Sequence, residues 1–286
     1  MLLRATIEQS LHAFVAARAD LDALIAARPD DVQAQLTRAV VATVMGDYPA
    51  ARASCTAVMR RASSLVAAAC RAPLDGIAGH AEPAYRMLAA ELQAARGDDP
   101  AIASWALTVL AELAIQRGEM TAAGTHLQQV LAFDGEDHYA RGLLADVLLA
   151  QDRAGDASAL LAGREQIDGL LVRRAIAEHR ARGSEATELA DRMRTRIAAA
   201  RERGDRVHLR EEARFALDVE AAPSRALQLA REDWAVQHEL ADARLLAEVA
   251  LAARAASAAA PVVAWAAQTG VHDAQLDRFL RRLGAS

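Results

Sequence analysis

The sequence has no lysine and no asparagine, and aromatic residues make up only 3% of its 286 positions. All 33 basic residues are therefore arginine, and 38 acidic residues give the chain a net charge of −5. This balance gives no electrostatic reason to expect binding to nucleic acid or to an anionic membrane. The one arginine-rich stretch, residues 192–214, also contains four carboxylates and is better explained as a solvated helical face.

Long apolar runs are also missing. No run reaches the roughly 18 residues that a membrane span needs, and the apolar stretch 255–267 is interrupted by Pro261. The N-terminus lacks the apolar segment and cleavage site of a signal peptide. We therefore expect a soluble protein without membrane insertion, cytoplasmic as the sequence stands.

Motifs for catalysis and metal binding are absent from the sequence. There is no glycine-rich phosphate loop and no nucleophile elbow. None of the eight histidines pairs with another at i+3 or i+4, and neither cysteine has a histidine at the spacing of zinc ligands. The sequence predicts no enzyme activity, no metal site and no cofactor.

A repeating frame is present instead. Four glycine or aspartate positions are each followed five residues later by alanine, and the pairs are Gly46–Ala51, Gly79–Ala84, Gly118–Ala123 and Asp152–Ala157. Their first members lie 33, 39 and 34 residues apart, which is the period of helix–turn–helix repeat arrays. Abundant alanine and the lack of alternating β patterns favour helix, so we predict an all-α fold.

The clearest unit spans residues 31–63. It resembles the tetratricopeptide repeat family, and the residues that carry the resemblance are Pro29, Ala39, Gly46, Asp47, Tyr48 and Ala51. The resemblance implies a right-handed α-solenoid of about seven antiparallel helix pairs, closed by a C-terminal capping helix at residues 273–283. We expect a single array over residues 1–286, with clear repeats in 1–165 and degenerate repeats in 166–286.

One unit, residues 65–103, departs from the pattern. Pro73 falls inside its first helix, where proline removes a backbone hydrogen bond and kinks or ends the helix. Five extra residues, around residues 96–100, precede the next unit. This irregularity is either a tolerated insertion or the origin of a pocket.

The two cysteines have a specific geometric relation. Cys55 lies in the second helix of one unit and Cys70 in the first helix of the next, seven to eight residues on either side of the predicted turn. Equal distances from a turn place residues of an antiparallel pair at equal heights, so a disulfide is feasible if the helices are close. The alternative is two small buried thiols. A disulfide would imply an oxidising compartment and an export signal that has been removed.

The resemblance also implies a binding groove, because the first helix of each tetratricopeptide unit lines the concave surface. By position, the residues expected in this groove are Gln33, Leu36, Val40, Trp105, Thr108, Glu112, Gln116, Tyr139, Asp146, Arg173 and Arg180. Trp105 and Tyr139 stand out because aromatic residues are scarce here and often anchor interfaces. The alternative is that both pack between units, which is the role we expect for Trp234 and Trp265.

The sequence therefore favours a non-enzymatic scaffold or adaptor that binds a protein or peptide in the concave groove. The basic clamp of some chaperone-binding members of the family uses lysine and asparagine, which this chain lacks. The second hypothesis is a small-molecule or metal-handling binding protein with its pocket near residues 65–103.

Overall fold

The computed structural model describes residues 1–95, 99–205 and 208–284, and all regular secondary structure in them is helical. The helices are, in chain order, α1 (Leu2–Ser10), α2 (Phe14–Ala27), α3 (Val32–Val44), α4 (Tyr48–Met59), α5 (Ser64–Asp75), α6 (Ala81–Ala94), α7 (Pro100–Gln116), α8 (Met120–Phe133), α9 (His138–Ala150), α10 (Ala154–Leu161), α11 (Asp168–Ala181), α12 (Ala186–Glu202), α13 (Leu209–Asp218), α14 (Pro223–Trp234), α15 (Leu240–Ala252), α16 (Ala260–Thr269) and α17 (Ala274–Arg282). A π-helical turn, Gly76–His80, joins α5 to α6, and a 3₁₀ turn, Ala256–Ala259, precedes α16.

Within the described ranges, consecutive helices form eight pairs, from α1–α2 to α15–α16, and α17 follows the last pair. The two helices of a pair, here called a unit, pack on each other, and most units also pack on the next through their first helices. The structure confirms the predicted all-α solenoid of about seven pairs and its C-terminal helix, which packs on α15 and α7.

Aspartates fix the starts of several helices. Asp31 precedes α3 and accepts a hydrogen bond from the Ala34 backbone N–H at 3.0 Å, and Asp47 does the same for Ala50 at 3.1 Å. Such caps satisfy backbone donors that have no partner inside the helix. The chain therefore starts each of these helices at a position that the sequence specifies.

Every described unit repeats the same backbone conformation at the turn between its two helices, although the residue there is not always glycine. Between the two helices of each unit lies one residue with φ between 51° and 82°, and these residues are His12, Gly46, Gly79, Gly118, Asp152, Arg182, Ala221 and Arg254. The sequence pattern identified four of them. The four alanines of that pattern are 0% to 3% exposed, which allows the paired helices to pack closely.

The left-handed residue has a common structural role in these turns. In six of these turns the residue that follows it donates its backbone N–H to a carbonyl five positions earlier, as from Asp47 to Ala42 at 2.8 Å and from Ala255 to Ala250 at 2.9 Å. After Ala221 the acceptor lies six positions earlier, from Ala222 to Ala216 at 2.8 Å. This hydrogen bond closes the end of the first helix and requires a left-handed residue, usually glycine, just before the donor. Arg254 adopts that conformation with a side chain, at a cost of about 1–2 kcal/mol.

Replacing Arg254 with glycine should therefore stabilise the fold. The lost steric strain outweighs the extra flexibility of glycine in the unfolded chain, and we expect a net gain of about 0.5–1 kcal/mol in the free energy of unfolding. Urea denaturation measures this gain as a higher midpoint. Arg254→Ala is the matched control, because it removes the charge but keeps Cβ. Equal midpoints for the two variants would contradict the role given to the left-handed backbone.

The third unit is irregular, but its break lies after Pro73. Helix α5 continues to Asp75 and then widens into the π-helical turn, where Ala78 and Gly79 leave helical geometry. The helix therefore breaks about one turn after Pro73, the position at which the sequence predicts a kink or an end. The predicted insertion falls largely on Gly97 and Asp98, which lie outside the described residues.

The C-terminal units pack against the turns of the second, third and fourth units, and we call this contact the seam. Four hydrogen bonds between described residues cross it. They run from the His238 backbone N–H to the Val44 carbonyl at 2.8 Å, from the Tyr48 hydroxyl to the His238 carbonyl at 3.4 Å, from Trp265 Nε1 to the Tyr48 hydroxyl at 2.7 Å, and from Gln116 Nε2 to the His272 carbonyl at 2.8 Å. Because the bonded residues are about 150 to 220 positions apart, the seam closes the solenoid on itself.

An aromatic cluster forms the apolar part of the seam. The Trp234 and Trp265 rings meet edge-on with centroids 5.5 Å apart, and the His238 ring lies 4.7 Å from Trp234. Ile77, from the π-helical turn of the third unit, belongs to the same buried cluster. The two tryptophans thus have a packing role, as the sequence suggests, and it extends to the seam as well as to neighbouring helices.

The seam also explains why glycine is required at position 79. A Cβ atom there would lie 2.4 Å from the Gly270 carbonyl oxygen, and the backbone has φ of +82°. Gly163 has a similar φ of +77° but nothing within 4 Å of the same point. An alanine substitution at either position therefore introduces backbone strain, and at Gly79 it also forces the seam open.

We expect Gly163→Ala to lower the free energy of unfolding by about 1–2 kcal/mol, from backbone strain alone. Gly79→Ala should cost about 1–3 kcal/mol more, because the overlap forces the seam apart. Chemical denaturation of both variants measures the difference. A Gly79→Ala variant as stable as Gly163→Ala would show that the two halves do not approach this closely.

Cys55 of α4 and Cys70 of α5 form a disulfide in the structure, with their Cα atoms 5.7 Å apart. Both residues are buried, at 2% and 8% exposure, beside the half-buried rings of Tyr48 and Trp105. The bond ties the second unit to the third. Closing a 15-residue loop in the unfolded chain is worth about 3 kcal/mol in the chain-entropy picture.

Candidate functional site

A large cavity lies on the concave side of the first five units. Its volume is about 1500 Å³, and its wall consists mainly of residues from α1, α3, α5, α7 and α9. Glu239, which precedes α15, adds the C-terminal half to this wall. The cavity is therefore bounded by the inner helices on one side and by the closed end of the solenoid on the other.

Seven of the eleven predicted groove residues line this cavity, and they are Gln33, Leu36, Val40, Trp105, Thr108, Glu112 and Tyr139. Trp105 is half-buried and also packs against α5 and the disulfide, so it both joins units and faces the cavity. Val40 and Tyr139 are 46% and 61% exposed.

Phe133, the last residue of α8, also lines the cavity and is 58% exposed. It lies on the second helix of its unit, and the sequence pattern pointed only to first helices. Its position at a helix end next to Asp134 and Asp137, which line the same wall, is visible only in three dimensions.

Gln116 lies outside the cavity wall. It is 3% exposed, and its amide nitrogen donates to the Gly76 carbonyl at 2.9 Å as well as to His272 across the seam. A buried amide needs such partners. In this structure the side chain joins the third unit, the fourth unit and the C-terminal end.

The other three predicted groove residues belong to a series of ion pairs that we call the ionic ladder. It connects the inner helices of the C-terminal half, and its pairs are Asp146–Arg173, Arg180–Asp218, Arg214–Glu248, Arg210–Asp242 and Arg244–Asp273. Arg173 donates to both oxygens of Asp146 at 2.8 to 3.0 Å, which is the fork geometry that favours arginine.

The ladder has a physical consequence for the concave face. Arginine and carboxylate side chains from successive inner helices bind each other there. The fully buried carboxylates, Asp242 and Asp273, would carry a large desolvation cost if left unpaired. Asp146, Arg173 and Arg180 therefore have partners within the chain. The open part of the concave face is the cavity of the first five units.

Glu112 and Tyr139 form the most perturbed titratable pair in the cavity. The Tyr139 hydroxyl donates to Glu112 Oε1 at 2.6 Å. Burial raises the pKa of Glu112 to about 7, against the hydrogen bond from Tyr139. The charge of Glu239 raises it further and that of Arg244 lowers it. The Glu112 charge and burial also raise the pKa of Tyr139. Tyr139 is 61% exposed, and it lines the cavity.

No helix in the described ranges is both long enough and apolar enough to cross a membrane. In the same part of the chain, no three or more histidine, cysteine, aspartate or glutamate side chains are grouped so as to hold a metal ion.

Stacked helix pairs with an inner cavity define an α-solenoid. Over 88% of this chain, the structure matches a tetratricopeptide repeat protein from Parabacteroides merdae, covering 98% of that chain with a TM-score of 0.50 and 14% sequence identity. This chain has the tetratricopeptide repeat fold, and the resemblance predicted from the sequence is confirmed at that level.

Two other solved structures match with lower TM-scores. The TPR domain of P58(IPK) matches 99% of this chain and 96% of its own, with a TM-score of 0.28 and 15% identity. Yeast Tom70 matches 96% of this chain and 58% of its own, with a TM-score of 0.36 and 11% identity. No protein-family model and no curated protein sequence matches the chain.

Proposed function

We propose that this chain is a non-enzymatic scaffold or adaptor, a single array that binds an extended protein segment or peptide in the cavity of its first five units. The observation that carries the proposal is the exposure of large side chains on the wall of that cavity. The chain has only three tryptophans, three tyrosines and four phenylalanines, and Trp105, Phe133 and Tyr139 line this one space. Contiguous exposed apolar surface of this kind is typical of interaction sites.

The shape of the cavity favours an extended segment as the binding partner over a flat protein surface. A volume of about 1500 Å³ exceeds that of most small-molecule sites. Five consecutive inner helices make the wall continuous along the solenoid. A scaffold held by the disulfide and the seam would lose little conformational freedom on binding, which favours affinity.

A variant that fills the cavity tests the proposal. Val40→Trp places a large ring at a position 46% exposed in the cavity, and Val15→Trp adds the same ring at a 75% exposed position on α2. Peptides would be selected from a phage library of random 12-residue sequences on the natural protein. The affinity of each synthetic peptide would then be measured by fluorescence anisotropy.

We expect selected peptides to bind Val40→Trp at least about tenfold more weakly, a loss of about 1.4 kcal/mol, and to bind Val15→Trp unchanged. Circular dichroism melting checks that both variants stay folded. Peptides that bind Val40→Trp as tightly as the natural protein would place the binding surface elsewhere. A selection that enriches no peptide would also count against the proposal.

The irregular third unit supports the second candidate, a small-molecule or metal-handling protein, because Cys70 and Pro73 of that unit line the same cavity. Such a protein would be stabilised by its ligand by about RT ln(1 + [L]/Kd). A thermal-shift screen of metals and metabolites that raises no melting temperature would reject it.

A further inference from the structure

The cavity wall is acidic among its described residues. Asp99, Asp134, Asp137, Glu112 and Glu239 line it, while one arginine, Arg61, belongs to the same wall. Arg61 is bound to Asp30 through two hydrogen bonds at 2.8 and 2.9 Å. Asp99 and Asp137 act as helix caps. Asp134 accepts a hydrogen bond from the Glu136 backbone N–H at 2.8 Å. The carboxylates of the wall that bind no backbone N–H within the first five units therefore reduce to Glu112, which interacts with the charge of Glu239.

The charges around Glu112 and Glu239 do not balance. Arg210 donates to both Glu239 and Asp242, so one guanidinium serves two carboxylates. Arg244, the other cation near Glu112, is bound to Asp273. Among the described residues, the side chain of Glu112 has the neutral hydroxyl of Tyr139 as its hydrogen-bond partner. An ionised Glu112 therefore adds a negative charge that forms no ion pair with an arginine of the described residues, although Arg244 acts on it from a distance.

The surroundings of this carboxylate suit an organic cation. The Tyr139 ring is 61% exposed, and aromatic faces attract guanidinium and ammonium groups. Val40, Leu36 and Trp105 line the same cavity with apolar surface, against which the aliphatic stem of lysine or arginine packs well. Charge and shape therefore complement a basic side chain within a largely apolar segment.

Resting on the proposed function, we propose that the bound segment presents a lysine or arginine whose cationic group binds the Glu112 carboxylate beside Tyr139 and Glu239. The apolar neighbours of that residue pack along Val40 and Trp105. Specificity then comes from a cation that completes the charge balance of the cavity, and affinity comes largely from apolar contact.

The proposal makes binding depend on pH. The groups facing Glu112 are Tyr139 from α9, and Glu239 and Arg244 from the start of α15. A bound cation favours the ionised carboxylate, so it lowers the pKa of Glu112 and releases a proton. Since the pKa of Glu112 in the free protein is about 7, affinity should fall about tenfold from pH 8 to pH 6. Glu112→Gln should abolish that pH dependence.

The experiment uses the peptides selected on the natural protein from the random 12-residue library. We expect them to be enriched in arginine or lysine flanked by apolar residues. Replacing that arginine by citrulline, its neutral analogue of similar shape, should weaken binding at least about tenfold at pH 8. In Glu112→Gln the arginine and citrulline peptides should bind with similar affinity, because the glutamine carbonyl accepts from Tyr139 but carries no charge.

Glu188→Gln on α12 is the matched control, since that side chain is 71% exposed and outside the cavity wall, and it should behave as the natural protein. The two proposals fail differently. Peptides that are sensitive to Val40→Trp but bind equally well with citrulline, or that lack basic residues, would overturn this inference and leave the groove proposal standing. If no selected peptide is sensitive to Val40→Trp, the groove proposal fails and the inference fails with it.

Discussion

The seam is the interaction on which the shape of this solenoid depends. A repeat array is held together mainly by contacts between neighbouring units, and such arrays are open by default. Here four side-chain and backbone hydrogen bonds between described residues join the second to fourth units to the last two, and the Trp234–Trp265 cluster buries apolar surface at the same place. Glu239 comes to the cavity wall because His238, one residue earlier, is bound to Val44.

Closure divides the concave face into two regions with different chemistry. In the C-terminal half the ionic ladder joins inner helices through arginine–carboxylate pairs, and these side chains bind each other. In the N-terminal half the inner helices carry small, apolar and aromatic residues, and a large cavity remains. The lack of lysine fits this arrangement, because the forked guanidinium can bind two partners at once, as Arg210 does with Glu239 and Asp242.

The sequence predicted the features that are set by residues close together in the chain. The glycine–alanine frame located the turns at Gly46 and Gly118, and counting from the turn placed Cys55 opposite Cys70. The frame was lost after Asp152 because Arg182, Ala221 and Arg254 adopt the left-handed conformation without glycine. Propensity does not reveal these positions, because packing of the paired helices offsets their strain.

The candidate site was predictable only in part for a related reason. Position within a unit assigns a residue to the concave face, and this placed Val40, Glu112 and Tyr139 beside the cavity. Position within a unit does not distinguish an open concave face from one occupied by ion pairs. The prediction therefore grouped Arg173 and Arg180 with the cavity residues. Nor can it detect contacts such as Gln116 with His272, which are 156 residues apart.

Hydrogen exchange of the His238 backbone amide tests the closed solenoid most directly. This amide lies in the loop before α15, and its hydrogen-bond acceptor is the Val44 carbonyl on the opposite side of the seam, 2.8 Å away. If the seam is closed in solution, the amide exchanges far more slowly than an unprotected loop amide, and Gly79→Ala removes that protection. Exchange of His238 at the unprotected rate in the natural protein would contradict the account, since it would mean that the two halves are not joined.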